Sequence, residues 1–298
     1  MTDHRVGILG ATSLVGHLLF PPLIQAQRHV VAYTRQSCLG KDDTVEWRQL
    51  PPPGDNASFQ PTVSPVEDKL PFWICAAPIW VLPEYFSLMA AQGVRRVVVL
   101  SSTSRYTKGD SSNAEEQSVA SRLVEAETLV KVWAEKHDVE WIILRPTLIY
   151  GLGRDKNIAE IARFIRKFGF FPLFGKALGL RQPVHANDVA YACISALNTT
   201  YGINRSYNIS GGETLAYREM VLRIFKVLGK RPCVISVPLT LFRMAVMCLR
   251  LLPRYRHWSV AMAERMNQDL VFDHTDAAQD IAYNARTFTP TKKDVGAP

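Results

Sequence analysis

The sequence predicts an α/β protein in which helices cover both faces of a doubly wound parallel sheet. Over the first half of the chain, short β-branched runs alternate with segments of helical periodicity, which is typical of parallel sheets. The predicted strands are almost wholly apolar, as expected where both faces of a sheet are covered. They are residues 5–9, 30–33, 72–76, 96–101 and 140–144.

The second half of the chain departs from this alternation. Apolar spacing predicts helices over 157–168 and 214–228, with Gly229 and Pro232 ending the latter. We therefore predict one α/β domain over 1–152, to which 180–212 return, and a smaller, mostly helical lobe over 153–179 and 213–298. The Pro- and Gly-rich stretch 50–65 is predicted to be a surface loop.

Cysteine usage and the chain start indicate the expected compartment. The cysteines at positions 38, 75, 193, 233 and 248 show no CxxC spacing, so we expect mostly buried, reduced thiols and no metal site. A predicted strand begins within a few residues of Met1, which leaves no room for a signal sequence. A cytoplasmic protein is expected.

The formal net charge of +8 indicates either a solvated basic surface or an anionic ligand. The cations are dispersed and no basic run is interleaved with aromatic residues, which argues against nucleic acid. A phosphate-bearing small molecule needs only a few convergent cations and is the more economical partner. We also leave a homodimer open.

The most apolar segment, 237–253, is interrupted by Arg243 and Arg250 and is too short to cross a bilayer. A basic and aromatic cluster follows it at 254–258. The alternatives are a buried interdomain helix and peripheral membrane contact through 237–258.

A glycine-containing turn follows the first predicted strand and precedes a helix. Gly10 lets the backbone approach a pyrophosphate, and Gly16 lets helix and strand pack closely, while Ser13 replaces the usual middle glycine and adds a hydroxyl. The pattern is typical of a Rossmann-type dinucleotide site, so we predict that the domain over 1–152 binds a dinucleotide and that the smaller lobe binds the substrate. The predicted cofactor contacts are Gly10, Thr12, Ser13, Leu14, Val15 and Gly16.

The second strand ends at Arg35, where a protein that prefers NAD(H) has an acidic residue on the ribose 2′-hydroxyl. A guanidinium there suits a 2′-phosphate. We therefore predict NADP(H) as the preferred cofactor, with NAD(H) as the alternative and an ordinary surface arginine as the non-functional explanation.

Four later segments occur in the order of a known family. They are SSTSRY (101–106), LRPTLIYG (144–151), GLRQPVHANDVA (179–190) and YNISGGE (207–213). Together with the glycine turn, they resemble the extended short-chain dehydrogenases/reductases, in particular the nucleotide-sugar epimerases and dehydratases.

The resemblance implies roles for individual residues. Ser102 takes the position of the catalytic Ser or Thr, and Arg181 that of an arginine on the substrate diphosphate. Asp188 is expected to cap the next helix and His185 to be a packed strand residue. The remaining implied cofactor contacts are Ala76, Ala77, Arg145 and Pro146, and the remaining substrate contacts are Tyr150 and Asn157.

The family's catalytic YxxxK pair is missing, since no such spacing occurs in the chain. One alignment puts Ser118 and Arg122 at its positions, and a register shifted by one residue does not restore it either. Arginine supplies a fixed charge but cannot relay a proton. The candidate substitutes are Tyr106, Lys108 and Tyr150, for each of which an anchoring role is the alternative.

Three functions remain open at this point. The first is an atypical NADP(H)-dependent oxidoreductase or isomerase acting on a phosphorylated, nucleotide-linked or lipid-linked substrate. The second is a cofactor-binding sensor or accessory subunit without turnover, and the third is a membrane-peripheral scaffold. Fold alone does not decide among them.

Overall fold

The computed structural model describes residues 4–35, 44–50, 69–249 and 260–296. Its central feature is a seven-stranded sheet with the order β11-β6-β5-β4-β1-β2-β3 and parallel pairing throughout. The strands are β1 (Arg5–Leu9), β2 (His29–Thr34), β3 (Glu46–Gln49), β4 (Phe72–Cys75), β5 (Arg96–Leu100), β6 (Glu140–Pro146) and β11 (Arg205–Ile209).

This order confirms the predicted doubly wound sheet. The chain moves outward from β1 to β3 and then crosses to the other side of β1 for β4. The strand order therefore reverses between β1 and β4, and such a switch point opens a crevice at the carboxyl ends of the strands.

Helices pack on both faces of the sheet. One face carries α1 (Leu14–Leu18), α2 (Phe20–Gln25), α7 (Ala186–Asn198) and α11 (Thr275–Ile281). The other carries a 3₁₀ helix (Ile79–Tyr85), α3 (Phe86–Ala91) and the 23-residue α5 (Ala114–Lys136), with the one-turn α4 (Ser104–Thr107) preceding α5. The buried, apolar strands predicted from sequence are thus covered by helices on both faces of the sheet.

The sequence pattern missed β3, which forms the sheet edge and has half-buried and exposed residues. An edge strand buries little apolar surface, so it carries no continuous apolar run. The predicted loop 50–65 lies outside the described residues, apart from Leu50.

A second, smaller core lies beyond β6. Its principal helices are α6 (Ile158–Phe168), α8 (Tyr217–Val227) and α10 (Ala261–Arg265). The short strands are β7 (Ile149–Tyr150), β8 (Phe171–Phe174), β9 (Leu180–Arg181), β10 (Val184–His185), β12 (Leu215–Ala216) and β13 (Val234–Val237), which pair as β7 with β10, β8 with β13 and β9 with β12.

Helix α8 begins three residues later than predicted because Leu215 and Ala216 pair with β9 in β12. At its other end, Gly229 adopts φ +65° just beyond the helix, which confirms the predicted glycine terminator.

Helix α9 (Leu239–Leu249) occupies part of the apolar segment predicted from sequence. Within the described ranges, no helix combines the length and apolar character that crossing a bilayer requires. The basic cluster at 254–258 lies outside those ranges.

Candidate cofactor and substrate site

The turn between β1 and α1 is set by close backbone approaches. Gly10 has φ +78°, and a Cβ built on it would lie 2.3 Å from the backbone nitrogen of Ala77. A Cβ on Gly16 would lie 2.2 Å from the carbonyl oxygen of Gly10. Both glycines are therefore required for the turn and for the packing of α1 against it.

Ser13 caps α1, and its Oγ accepts a hydrogen bond from the backbone N–H of Gly16 at 3.0 Å. A hydroxyl that accepts in this way keeps its own proton available to donate. Ser13 can thus hold the turn and contact an anion at the same time.

An outer cleft of about 460 Å³ lies between this turn, the end of β2 and the 3₁₀ helix. Arg35 lines it and is exposed at the carboxyl end of β2. Tyr85 lines it from the 3₁₀ helix, and its buried hydroxyl has no hydrogen-bond partner among the described residues. Burial raises the pKa of Tyr85, so the group remains a neutral donor. The predicted residues Gly10, Thr12 and Ser13 also line the outer cleft.

A central cleft of about 500 Å³ continues from the outer one, at the carboxyl ends of β4, β5 and β6. The two clefts share Ser13, Ala77, Pro78 and Trp80. The central cleft is lined by six residues predicted from sequence, namely Leu14, Val15, Ala76, Ala77, Ser102 and Pro146. Together the clefts form one groove across the switch point of the sheet.

Helix α5 presents an apolar face to the central cleft. Val119 and Leu123 line the cleft, whereas Ser118 and Arg122 are exposed on the helix. The Arg122 guanidinium lies 4.5 Å from the centre of the Trp80 ring. The structure therefore does not bring Ser118 and Arg122 into the cleft, and the residues four apart that face it are Val119 and Leu123.

One helical repeat further, Glu127 is almost fully buried and 1 % exposed. It accepts hydrogen bonds from Ser101 Oγ at 2.6 Å and from Arg145 Nε at 3.0 Å, and it also pairs with Arg105. A buried carboxylate requires such compensation. This network holds α5 against the ends of β5 and β6.

The same network accounts for two predicted site residues. Arg145 was expected to contact the cofactor, but its guanidinium is bound by Glu127 and by the Tyr106 hydroxyl, to which it donates at 2.7 Å. Tyr106 is 49 % exposed and stacks on Phe272. Neither residue lines the groove.

Tyr150 was expected to contact substrate, but it is fully buried in the smaller core. Its ring lies edge-on to His185 and Phe288, each with a centroid distance of 5.1 Å. Burial raises the pKa of Tyr150, which makes the phenol a poor acid. The position packs the lobe and does not line the groove.

A third cavity of about 560 Å³, here called the cationic cleft, opens from the central cleft. The two share Ser102, Ser104, Ile149 and Lys156. Asn157 lines it, as predicted. Its cationic side chains are Lys108, Lys156, Arg181 and Arg265.

Arg181 is 5 % exposed and donates to the backbone oxygens of Leu180 and Gln268, both at 2.7 Å. It also contacts the carbonyl of Arg265. None of the described carboxylates forms an ion pair with it, and burial lowers its pKa to about 10. The cleft thus contains a buried positive charge, which Asp269 and Tyr217 partly offset.

Lys108 lies in the same cleft with its Nζ 4.0 Å from Glu116, which also pairs with Arg265. Burial lowers the pKa of Lys108; Glu116 opposes this effect and Arg265 adds to it. The ammonium therefore releases its proton more readily than an ordinary lysine.

The prediction that Asp188 caps α7 is wrong, because His185 caps this helix. His185 precedes the helix, and its Nδ1 accepts from the backbone N–H of Asn187 at 3.1 Å. Asp188 lies inside the first turn and pairs with Arg286. Capping falls to His185 because the helix begins at Ala186, earlier than the aspartate position requires.

Sequence reasoning missed Ser104, Lys156 and Trp80, each of which lines two of the clefts. Ser104 belongs to the SSTSRY segment and Lys156 adjoins Asn157, so both could have been predicted from the sequence. Trp80 follows the end of β4 with no motif of its own. The prediction of mostly buried thiols holds for Cys75 and Cys193, but Cys233 is exposed.

Comparison with known proteins matches residues 84–210 to the model of the NAD dependent epimerase/dehydratase family. This segment is thus similar to that family over about two fifths of the chain. It includes the end of the 3₁₀ helix, all of α5, and the chain from β5 to β11, and hence most of the central and cationic clefts.

Two curated proteins are similar over part of their length. UDP-glucose 4-epimerase of Vibrio cholerae is 24% identical over 161 residues, which are 51% of this chain and 49% of that protein. NADH dehydrogenase [ubiquinone] 1 alpha subcomplex subunit 9, mitochondrial, of Arabidopsis thaliana is 27% identical over 100 residues, 33% of this chain and 25% of that protein. The chain thus spans half or less of the length of these relatives.

Solved structures match over nearly the whole chain. UDP-glucuronic acid 4-epimerase from Bacillus cereus in complex with NAD gives a TM-score of 0.69 at 14% identity, covering 97% of this chain and 95% of that one. MoeE5 in complex with UDP-glucuronic acid and NAD gives 0.66 at 22% identity with the same coverage. These likenesses confirm the Rossmann-type fold.

Proposed function

We propose that this protein binds a nicotinamide dinucleotide, NADP(H) in preference to NAD(H), along the outer and central clefts. The backbone approach at Gly10 and the unpaired hydroxyl of Tyr85 fit a polar ligand in the outer cleft. Arg35 occupies the end of β2, where its planar guanidinium suits a 2′-phosphate. A carboxylate there would favour an unmodified ribose.

The substrate in this proposal carries phosphate groups, either as a phosphate ester or through a nucleotide. Four cationic side chains line the cationic cleft, and the guanidinium of the buried Arg181 donates to backbone carbonyls, with Asp269 as the carboxylate that raises its pKa. A phosphate bound in this cleft would pair with the guanidinium, whose hydration is lost on burial. A lipid-linked diphosphate is the alternative within this class, since Leu241 and Met244 of α9 are exposed.

The observation that carries the proposal is the continuity of the groove. Ser102 lines both the central and the cationic cleft, so a reacting carbon beside it can face the nicotinamide end while its phosphate lies at Arg181. Such positioning supplies a large part of a rate acceleration.

The reaction we propose is reduction of a carbonyl, or the reverse oxidation. A nicotinamide held by the residues of the central cleft would supply the hydride for this reduction. Ser102 donates a hydrogen bond to the carbonyl oxygen, and Lys108 transfers a proton from its ammonium to that oxygen, which completes the hydroxyl. The neutral amine then regains its proton from solvent. A lysine with a lowered pKa suits this step.

A second candidate is a cofactor-binding protein without turnover. The apolar Val119 and Leu123 on the cleft face of α5 favour it, because neither side chain can transfer a proton. The similarity to a protein named as a subunit of NADH dehydrogenase agrees with this candidate.

A turnover assay separates the two candidates. Purified protein, saturated with NADPH, is assayed against carbonyl and nucleotide-sugar panels, alongside an Arg181→Gln variant. Turnover that falls in the variant supports the oxidoreductase; cofactor binding with no turnover on any substrate supports the non-catalytic candidate. A variant with unchanged Michaelis constants for phosphorylated substrates would remove Arg181 from the substrate site.

A further inference from the structure

The segment 151–157 forms a wall of both the central and the cationic cleft. Arg154, Asp155 and Lys156 line the first, and Lys156 and Asn157 line the second. At its far end, the Asp155 carboxylate accepts from the backbone N–H groups of Asn157 at 2.9 Å and Ala159 at 3.2 Å. This fastens the segment to the start of α6.

Its near end is fastened by the C-terminal residues 291–296. The backbone N–H of Gly153 donates to the carbonyl of Asp294 at 3.1 Å, and that of Leu152 approaches the Asp294 carboxylate at 3.4 Å. A Cβ on Gly153 would lie 2.3 Å from the Cα of Gly296. The two backbones are therefore in direct contact.

The Asp294 carboxylate joins three parts of the chain. It is 5 % exposed, and one oxygen lies 3.0 Å from Nε2 of His185, which caps α7. The other oxygen accepts from the backbone N–H and hydroxyl of Thr291 at 2.8 and 2.7 Å. The C-terminal segment, the start of α7 and the 151–153 turn thus share one buried anchor.

We infer that Asp294 is a positioning residue that holds the 151–157 wall in place for ligand binding, although it touches neither cleft. Loss of its charge should loosen residues 151–153 and so raise the mobility of the wall that carries Arg154 and Lys156. The Asp155 contacts with α6 and the hydrogen bond from Arg154 to the Thr12 carbonyl at 3.1 Å remain. The ligand-binding part of this inference rests on the proposed function; the ordering of the wall does not.

Limited digestion with trypsin tests the ordering directly, because trypsin cleaves after Arg154 and Lys156. We expect Asp294→Asn to raise the cleavage rate at these two bonds about tenfold, as a local opening that costs about 1.4 kcal/mol less would do. Bonds after Arg122 and Lys131 in α5 should keep their rates, whereas global destabilisation would raise all of them together.

Asp280→Asn is the matched control. Asp280 lies in α11, and its side-chain carboxylate accepts hydrogen bonds from Tyr207 at 2.8 Å and Arg205 at 3.1 Å. These partners belong to β11, and Asp280 does not line the groove. Cleavage at Arg154 and Lys156 that is equal in the two variants would overturn the inference.

Calorimetric titration with NADPH is the second readout. Asp294→Asn should weaken binding more than Asp280→Asn does, at a matched thermal midpoint. Equal affinities would overturn the positioning role. If the unmodified protein itself binds no NADPH, the proposed function fails, and the digestion alone decides whether Asp294 orders the wall.

Discussion

Val119 and Leu123 lie four residues apart on the face of α5 that lines the central cleft. The catalytic tyrosine and lysine of the extended short-chain dehydrogenases/reductases, which the sequence resembles, have the same spacing. The exposed Ser118 and Arg122 lie one position earlier. The face of α5 that meets the central cleft thus carries two apolar residues at this spacing.

Restoring the pair at these positions should therefore raise turnover. We expect Val119→Tyr with Leu123→Lys to increase carbonyl reduction by NADPH about 100-fold, since a positioned general acid contributes on the order of 100- to 10,000-fold. The measurement is the initial rate of NADPH oxidation at saturating cofactor. Ser118→Tyr with Arg122→Lys is the matched control on the exposed face, and a gain confined to that control would contradict the register.

Lys108 should control the pH dependence of reduction. The proton must be on the amine, so the rate should fall as pH rises through the pKa of Lys108, which burial and Arg265 lower. Glu116 opposes that lowering, so Glu116→Gln should move the falling limb to lower pH. A pH profile of turnover measures this shift. Lys108→Met should lower turnover about 100-fold; a variant with a full rate would exclude Lys108 as the donor.

Glu127 should be a large contributor to stability. Replacing it by Gln leaves Arg105 and Arg145 without their buried counter-charge, and breaking such a pair costs about 3 kcal/mol. Urea unfolding measures the change in the free energy of unfolding. Glu125→Gln, an exposed change on the same helix, is the control and should cost less than about 0.5 kcal/mol. Equal losses in the two variants would contradict the network.

Asp294 should contribute stability that acid removes. Burial opposes its ionisation, but hydrogen bonds from His185 and Thr291 outweigh burial and hold its pKa below the ordinary value. A lowered folded-state pKa gives stability that is complete above the unfolded-state pKa of about 3.9 and is lost as pH falls through the folded-state pKa. Thermal midpoints from neutral pH to pH of about 3 should therefore decline more steeply for the unmodified protein than for Asp294→Asn. Parallel declines would contradict this assignment.

The sequence was sufficient for the parallel sheet and for the glycine turn that borders the outer cleft. Apolar strands, and glycines required by local backbone geometry, are visible in the sequence itself. This is why Gly10 and Gly16 form the predicted turn and why Arg35 lies at the end of β2 in the outer cleft. The edge strand β3 buries too little apolar surface to leave such a signal.

The interior of the site was less predictable. Arg145 and Tyr150 occupy motif positions, yet their side chains serve Glu127 and the smaller core. A motif gives the residue and not its partner, which depends on contacts between distant segments. The register of α5 was uncertain by one residue for the same reason, because the burial of residues such as Leu123 and Glu127, which fixes the face that meets the sheet, depends on contacts with distant strands.

Calorimetric titration of the unmodified protein and Arg35→Asp with NADPH and NADH tests whether the clefts bind a nicotinamide dinucleotide and whether Arg35 selects it. We predict that the unmodified protein binds NADPH more tightly than NADH. Arg35→Asp should lose about tenfold or more in NADPH affinity, since hydrogen bonds to a charged group contribute about 1.5–3 kcal/mol, and should keep its NADH affinity. An unchanged NADPH affinity in the variant, or no binding of either cofactor by the unmodified protein, would contradict the account.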